Sequence, residues 1–147
     1  MTLHDNPCII LPDITLTREV DMIYGIGVDI VDIKRFRNII VRHGDKFAKR
    51  VLAKSEYSTY LKSKDKATNL AKCWAVKEAF VKAMGTGFTA VYNKNDIAYE
   101  TFSNKRPRIK LSNIAEIEAN KRNIMVNLSV SDELNNAVAF VILERNL

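Results

Sequence analysis

An α+β fold, an antiparallel sheet packed with helices in a single domain, is predicted by three patterns in the chain. Strand-like runs stand at 23–29, 124–131 and 136–144, whereas the middle of the chain, at 68–84, carries a helical apolar period. The last two runs are separated by Asp132-Glu133-Leu134-Asn135, a natural antiparallel connection. The 147 residues, 47% of them apolar, are enough for one domain with a substantial core.

Residues 1–21 differ from the rest. They carry Pro7 and Pro12, show no helical period, and lack the basic start and long apolar core of a secretory signal. They read as an N-terminal extension ahead of a domain at 22–147, although the apolar Cys8-Ile9-Ile10-Leu11 can still pack.

The first strand, 23–29, is a β-branched run broken by Gly25 and Gly27, and it leads into a helix at 31–43 patterned on Ile33, Ile39 and Ile40. Asp29 lies at that junction, placed either to cap the helix or to serve as a metal ligand held by a rigid strand end. A second helix is predicted around 46–62.

The helix at 68–84 is the most informative segment. Leu70, Cys73, Phe80, Val81 and Met84 share one face, and Lys77 falls inside it. A neighbouring stripe runs Ala71, Ala75, Glu78, Lys82. Spacing alone allows an exposed i,i+4 ion pair of Glu78 with Lys82, or an acid partly enclosed by an element that approaches over the two alanines. Gly85-Thr86-Gly87 follows, as a plain C-cap or as a turn whose missing side chains let the backbone approach a phosphate.

Strands at 96–102 and 107–111 come next, then a helix at 113–121 in which Asn113 and Glu116 have capping-box spacing. In 124–131, Ile124, Val126, Leu128 and Val130 alternate with polar or flexible residues, so one face is buried. The run 136–144 is apolar throughout and reads as a central strand. There is no internal repeat or low-complexity tract.

The net charge of +6 suggests an acidic partner: nucleic acid, a phosphorylated cofactor or an acidic protein. Cys8, Cys73, His4 and His43 are scattered, which argues against zinc or a disulfide framework and for a reducing, cytoplasmic setting. No apolar run is long enough to cross a membrane. Asp29 and Glu78 together would offer two hard oxygen ligands, a set that suits Mg2+ with waters and substrate phosphates completing its shell.

Three motifs, Gly25-Ile26-Gly27-Val28-Asp29-Ile30-Val31-Asp32-Ile33, Ala75-Val76-Lys77-Glu78-Ala79-Phe80-Val81-Lys82-Ala83 and Gly85-Thr86-Gly87, resemble those of the holo-[acyl-carrier-protein] synthases, the small bacterial 4′-phosphopantetheinyl transferases. The similarity runs from Met22 to the C-terminus. The resemblance implies transfer of phosphopantetheine from coenzyme A to a serine of an acidic apo acyl carrier protein, releasing adenosine 3′,5′-bisphosphate. It implies Mg2+ held by Asp29 and Glu78, with Glu78 helping to deprotonate the serine and Lys82 offsetting phosphate charge. It implies carrier contacts at Arg35 and Arg42, with Lys34 and Arg37 left as an ordinary solvated face. Gly85, Thr86, Gly87, Lys64 and the Arg106-Pro107 turn would lie near coenzyme A. A homotrimer with active sites between subunits is expected from the same resemblance.

The chain departs from the family pattern where Cys73-Trp74 replaces an arginine-containing pair, where Asn127 replaces a histidine, and where Lys105 replaces a turn glycine; Asp132 is an accepted variant. These changes bear on coenzyme A binding and leave the magnesium ligands in place. Two other readings compete: an inactive relative that only binds carrier protein, and a basic nucleic-acid-binding module. The second lacks paired RNA-stacking aromatics, a GxxG clamp or a recognition helix.

Overall fold

The structure is a computed structural model and describes residues 22–104 and 106–145. The expectations for 1–21 and for Lys105 lie outside the described residues. In chain order the elements are β1 (Met22–Asp32), α1 (Ile33–His43), α2 (Lys46–Val51), α3 (Lys54–Lys62), α4 (Lys66–Met84), a 3-10 turn (Lys94–Asp96), β2 (Ile97–Thr101), β3 (Pro107–Leu111), α5 (Asn113–Lys121), β4 (Ile124–Glu133) and β5 (Asn136–Arg145). Two antiparallel sheets result, one ordered β1-β5-β4 and one a β2-β3 hairpin. The apolar run at the C-terminus is thus the central strand, as its composition predicts.

Helix α4 lies across the three-stranded sheet and explains the two strand glycines. A Cβ at Gly25 would collide with the Ala83 carbonyl, and one at Gly27 with the Ala79 carbonyl and the Ala83 amide. Strand and helix backbones therefore touch where all four residues are glycine or alanine. Ala71 and Ala75 are fully buried, but the closest approach is one and two turns further on, at Ala79 and Ala83.

The other face of the sheet is not covered by any described residue. Ile26, Val28 and Ile30 on β1 are 61%, 54% and 67% exposed, and Phe140, directly across from Val28 on β5, is 41% exposed. Met125 on β4 extends the same apolar surface.

Lys77, placed by its spacing inside the apolar face of α4, is fully buried and has a partner. Its Nζ donates to Glu56 Oε2 at 2.6 Å and also to the carbonyls of Lys94 and Ile97, which uses all three ammonium protons. Glu56 in turn accepts from the amides of Ala53 and Tyr99, both at 2.8 Å. The pair ties α3, α4 and the hairpin together. Lys77→Met leaves the Glu56 charge buried without its counter-ion, and we expect a loss of about 3 kcal/mol, seen as a fall of roughly 6 to 12 °C in melting temperature. An unchanged melting temperature would show the pair to be energetically idle.

Several boundaries differ from the sequence prediction. The helix expected at 46–62 is two helices, broken where Leu52 turns extended; Asn95 Nδ2 donates to the Leu52 carbonyl and the Glu56 carboxylate captures the Ala53 amide. The cap of α5 is Ser112, not Asn113: Asn113 takes a positive φ of 54° and donates to Asp96 Oδ1 at 2.6 Å. Strand β1 continues to Asp32, so α1 begins later than predicted and Asp32, not Asp29, caps it, accepting from Lys34 N at 2.8 Å.

Candidate functional site

With Asp32 serving as cap, Asp29 is free for other work. It stands in β1 with its side chain 14% exposed, two residues after Gly27 and beside the stretch of α4 that the glycines bring close. On that helix Glu78 is half-buried. Burial raises its pKa from the ordinary 4.5, and the nearby Asp29 charge raises it further, while Lys82, Lys94 and Arg35 pull it back. The Asp29 charge is thus felt at Glu78 across a strand–helix contact.

Lys82 does not make the i,i+4 pair with Glu78 that spacing allows. Its Nζ reaches across to Asp29 Oδ1 at 2.7 Å and to the Val28 carbonyl at 3.1 Å. The strand is close enough, thanks to Gly27, for its acid to outcompete the one on the same helix.

The exit from α4 is a C-cap. Gly85 is left-handed, with φ 70° and ψ 14°, and Gly87 also has positive φ, 64°. The amide of Gly85 bonds the Lys82 carbonyl, and those of Thr86 and Gly87 bond that of Val81. The turn amides are therefore engaged by the helix, but nothing lies within 4 Å of a Cβ position at Gly85 or Gly87. A ligand can come close to bare peptide planes there, one turn past Lys82.

A row of aromatic rings flanks the carboxylates. Phe36, Phe47, Trp74 and Phe88 follow one another with centroids 6.3, 5.6 and 5.8 Å apart, joining α1, α2, α4 and the segment after the glycine turn. Trp74 lies one turn before Glu78 on the same stripe of α4. Sequence reading missed this row because its four members come from four separate segments.

Arg35 and Arg42 are exposed on α1, and Arg35 also lies over the Phe36 ring, its Cζ 5.8 Å from the centroid. Arg35 belongs to the charge environment of Glu78; Arg42 is in the last turn of α1.

The remaining predicted residues are not gathered within one chain. Lys64 precedes α4, about 20 Å of helix from Glu78. Arg106 and Pro107 are at the turn of the β2-β3 hairpin, where Phe102 N donates to the Arg106 carbonyl at 2.9 Å. Tyr99 and Glu100 of that hairpin wall a cavity of about 340 Å³ with Asn69, Lys72 and Cys73, toward the first half of α4. The Cys73 thiol is buried, which pushes its pKa well up, and the Glu56 charge adds to this. Asn127 Nδ2 donates to Glu144 Oε2 at 2.8 Å, and Asp132 accepts from Lys72 at 3.0 Å.

As a cation site, Asp29 and Glu78 fit a hard divalent ion: two carboxylates set close enough to raise one pKa, with no third His, Cys, Asp or Glu grouped with them among the described residues. Such a pair leaves coordination positions for water and phosphate oxygens, as magnesium sites do.

Comparison with known proteins gives consistent results. Residues 25–139 match the family model of the 4'-phosphopantetheinyl transferase superfamily. The chain is 41% identical over 124 residues to a holo-[acyl-carrier-protein] synthase of Ruthia magnifica subsp. Calyptogena magnifica, covering 84% of this chain and 98% of that one. Its fold is similar to the crystal structure of the holo-[acyl-carrier-protein] synthase from Neisseria meningitidis, with a TM-score of 0.80, 34% identity and coverage of 84% and 100%. It is also similar to the Helicobacter pylori holo-[acyl-carrier-protein] synthase in complex with coenzyme A, with a TM-score of 0.69, 32% identity and coverage of 80% and 98%.

Proposed function

The chain belongs to the holo-[acyl-carrier-protein] synthases of the 4′-phosphopantetheinyl transferase superfamily, and from that premise we propose that it moves phosphopantetheine from coenzyme A to a serine of apo acyl carrier protein with Mg2+ held by Asp29 and Glu78. The observation that carries the proposal is that the Gly27 contact sets Asp29 against α4, where Lys82 bonds it and its charge raises the pKa of Glu78. The serine oxygen attacks the pantetheine-side phosphorus, the bond to the second phosphate breaks, and adenosine 3′,5′-bisphosphate leaves. When bound, the magnesium ion neutralises pyrophosphate charge and orients attacker and leaving group.

The chain's own residues supply the rest. Glu78 takes the serine proton directly or through a water. Lys82 has its ammonium at the same edge, where it can meet charge that builds on the phosphate oxygens. The open turn at Gly85, Thr86 and Gly87 lets the pyrophosphate approach. Arg35 and Arg42 offer positive charge to an acidic carrier, and the partly exposed rings of Phe47, Trp74 and Phe88, backed by the buried Phe36, offer apolar surface beside it.

Lys64 lies about 20 Å of helix from Glu78, and Arg106 and Pro107 lie at the tip of a hairpin whose strand faces the first half of α4, a separation that a homotrimer with sites joining two subunits would bridge. The bare face of Ile26, Val28, Ile30 and Phe140 supports this, since monomers rarely expose so continuous an apolar patch. Val28→Lys, which puts a charge in the centre of that face, is expected to convert the trimer to monomer in light scattering and to lower activity at least tenfold. A monodisperse trimer in the variant would move the interface elsewhere.

Intact mass spectrometry tests the reaction. Apo acyl carrier protein incubated with this protein, coenzyme A and magnesium should gain the mass of one phosphopantetheine arm, and EDTA should prevent the gain. The changes at Cys73 and Asn127 favour one second reading, a relative that binds carrier protein without transfer. No gain, with a known transferase active on the same carrier, would select it.

A further inference from the structure

We propose that Lys82 and a divalent cation exchange on Asp29, so that metal loading itself frees the ammonium for the substrate phosphate. This rests on the reading of Asp29 and Glu78 as metal ligands. The geometry that points to it is the choice Lys82 makes: its Nζ binds Asp29 Oδ1 and the Val28 carbonyl across the strand instead of Glu78 one turn away. Asp29 thus has one oxygen engaged by a cation. A divalent ion shared by Asp29 and Glu78 would bring two charges up against that ammonium within a few ångströms.

Which cation yields is decided by exposure and charge. The Lys82 side chain is 52% exposed, whereas that of Asp29 is 14% exposed. A half-solvated ammonium holds its partner weakly, and water rehydrates it readily once displaced. The divalent ion gains a second carboxylate, Glu78, which Lys82 influences by its charge but does not bond directly. Lysine's flexible four-carbon stem lets Nζ swing out without backbone movement. The open space at Gly85 and Gly87, one turn on, is where it can go. Arg35 and Lys94, which also act on Glu78, add to the repulsion that a bound dication meets.

Two consequences separate this exchange from a lysine that merely lines the site. The first is competition: removing the ammonium makes metal binding tighter. The second is reciprocity: a metal weakens the hold of Asp29 on Lys82 by the same factor. Lys82 therefore serves as a counterion to Asp29 before metal loading and as a phosphate contact after it.

Manganese titration followed by electron paramagnetic resonance of the free ion, without coenzyme A, tests the first. Lys82→Met should bind Mn2+ about threefold or more tightly than the unaltered chain, the order expected for coupling between neighbouring charges. Acetylation of the unaltered protein, quantified by peptide mass spectrometry, tests the second. Mg2+ should speed labelling of Lys82 and leave Lys54, exposed on α3 and outside the proposed site, unchanged. Equal or weaker Mn2+ binding by Lys82→Met, or Lys82 labelling indifferent to Mg2+, overturns the exchange. Asp29→Asn is the control for the underlying reading: if it fails to weaken Mn2+ binding at least tenfold, the metal-site assignment itself falls.

Discussion

Glu78→Gln is expected to lower kcat/KM for phosphopantetheine transfer by a factor of about a thousand or more and, in the absence of metal, to raise the melting temperature at pH 7. Both effects come from one charge. In the proposed site Glu78 is, as a carboxylate, one of two metal ligands and the proton acceptor; as an amide it would be neither. Its ionisation works against folding, because burial and the Asp29 charge raise its pKa above the ordinary 4.5. Between 4.5 and that raised value the folded state holds the proton more tightly than the unfolded chain does. Stability therefore falls as pH rises through the interval, and the loss persists at all higher pH. Glutamine does not ionise, so its advantage is present at pH 7 and absent below about pH 4.5. Millimolar magnesium should shrink the difference by stabilising the unaltered protein alone. Full activity in Glu78→Gln would refute the site assignment.

The second large effect is structural. Gly27→Val should give no folded protein, and Gly27→Ala a severely destabilised one, because the added carbon would enter the backbone of α4 at the Ala79 carbonyl and Ala83 amide. Neither neighbour has a flexible side-chain end to yield, so strand and helix must separate, which costs more than the 1 to 3 kcal/mol typical of core overpacking. Asp29 is two residues along the strand, so whatever folds also loses the Asp29–Lys82 contact. Circular dichroism and thermal melting of Gly27→Ala provide the check; a melting temperature within a few degrees of the unaltered chain would contradict it.

Much of this was legible in the sequence, for physical reasons that differ by element. α4 announced itself because a helix buried on nearly all sides must repeat apolar and small residues, and the alternation in 124–131 reported a sheet with one covered face. What misled was always a side chain that could satisfy its needs at more than one place. The sequence allows Asp29 as a cap for α1, but the length of β1 gives that place to Asp32. Lys82 had an acid at helical spacing yet bonds one from another element. Lys77 looked out of place because its partner, Glu56, is 21 residues away. The break at Leu52-Ala53 has no local signal, since it is held by Asn95 and Glu56 from elsewhere in the fold. Asp29, Glu78, Lys82 and the glycine turn lie along one strand–helix contact; Lys64, Arg106 and Pro107 lie elsewhere in the chain, and a contact between subunits, as proposed for them, would leave no period in a sequence.

The aromatic row has a practical side. The chain has a single tryptophan, Trp74, set between Phe47 and Phe88 and one turn from Glu78. Its indole emission therefore comes from one place, at the border between the basic helix α1, the two carboxylates and the glycine turn. In the proposed site, metal, coenzyme A and carrier protein would each arrive beside that ring, and each is expected to change its emission. The enzyme carries a built-in fluorophore, and the order in which its ligands arrive can be followed in a stopped-flow cell without a label.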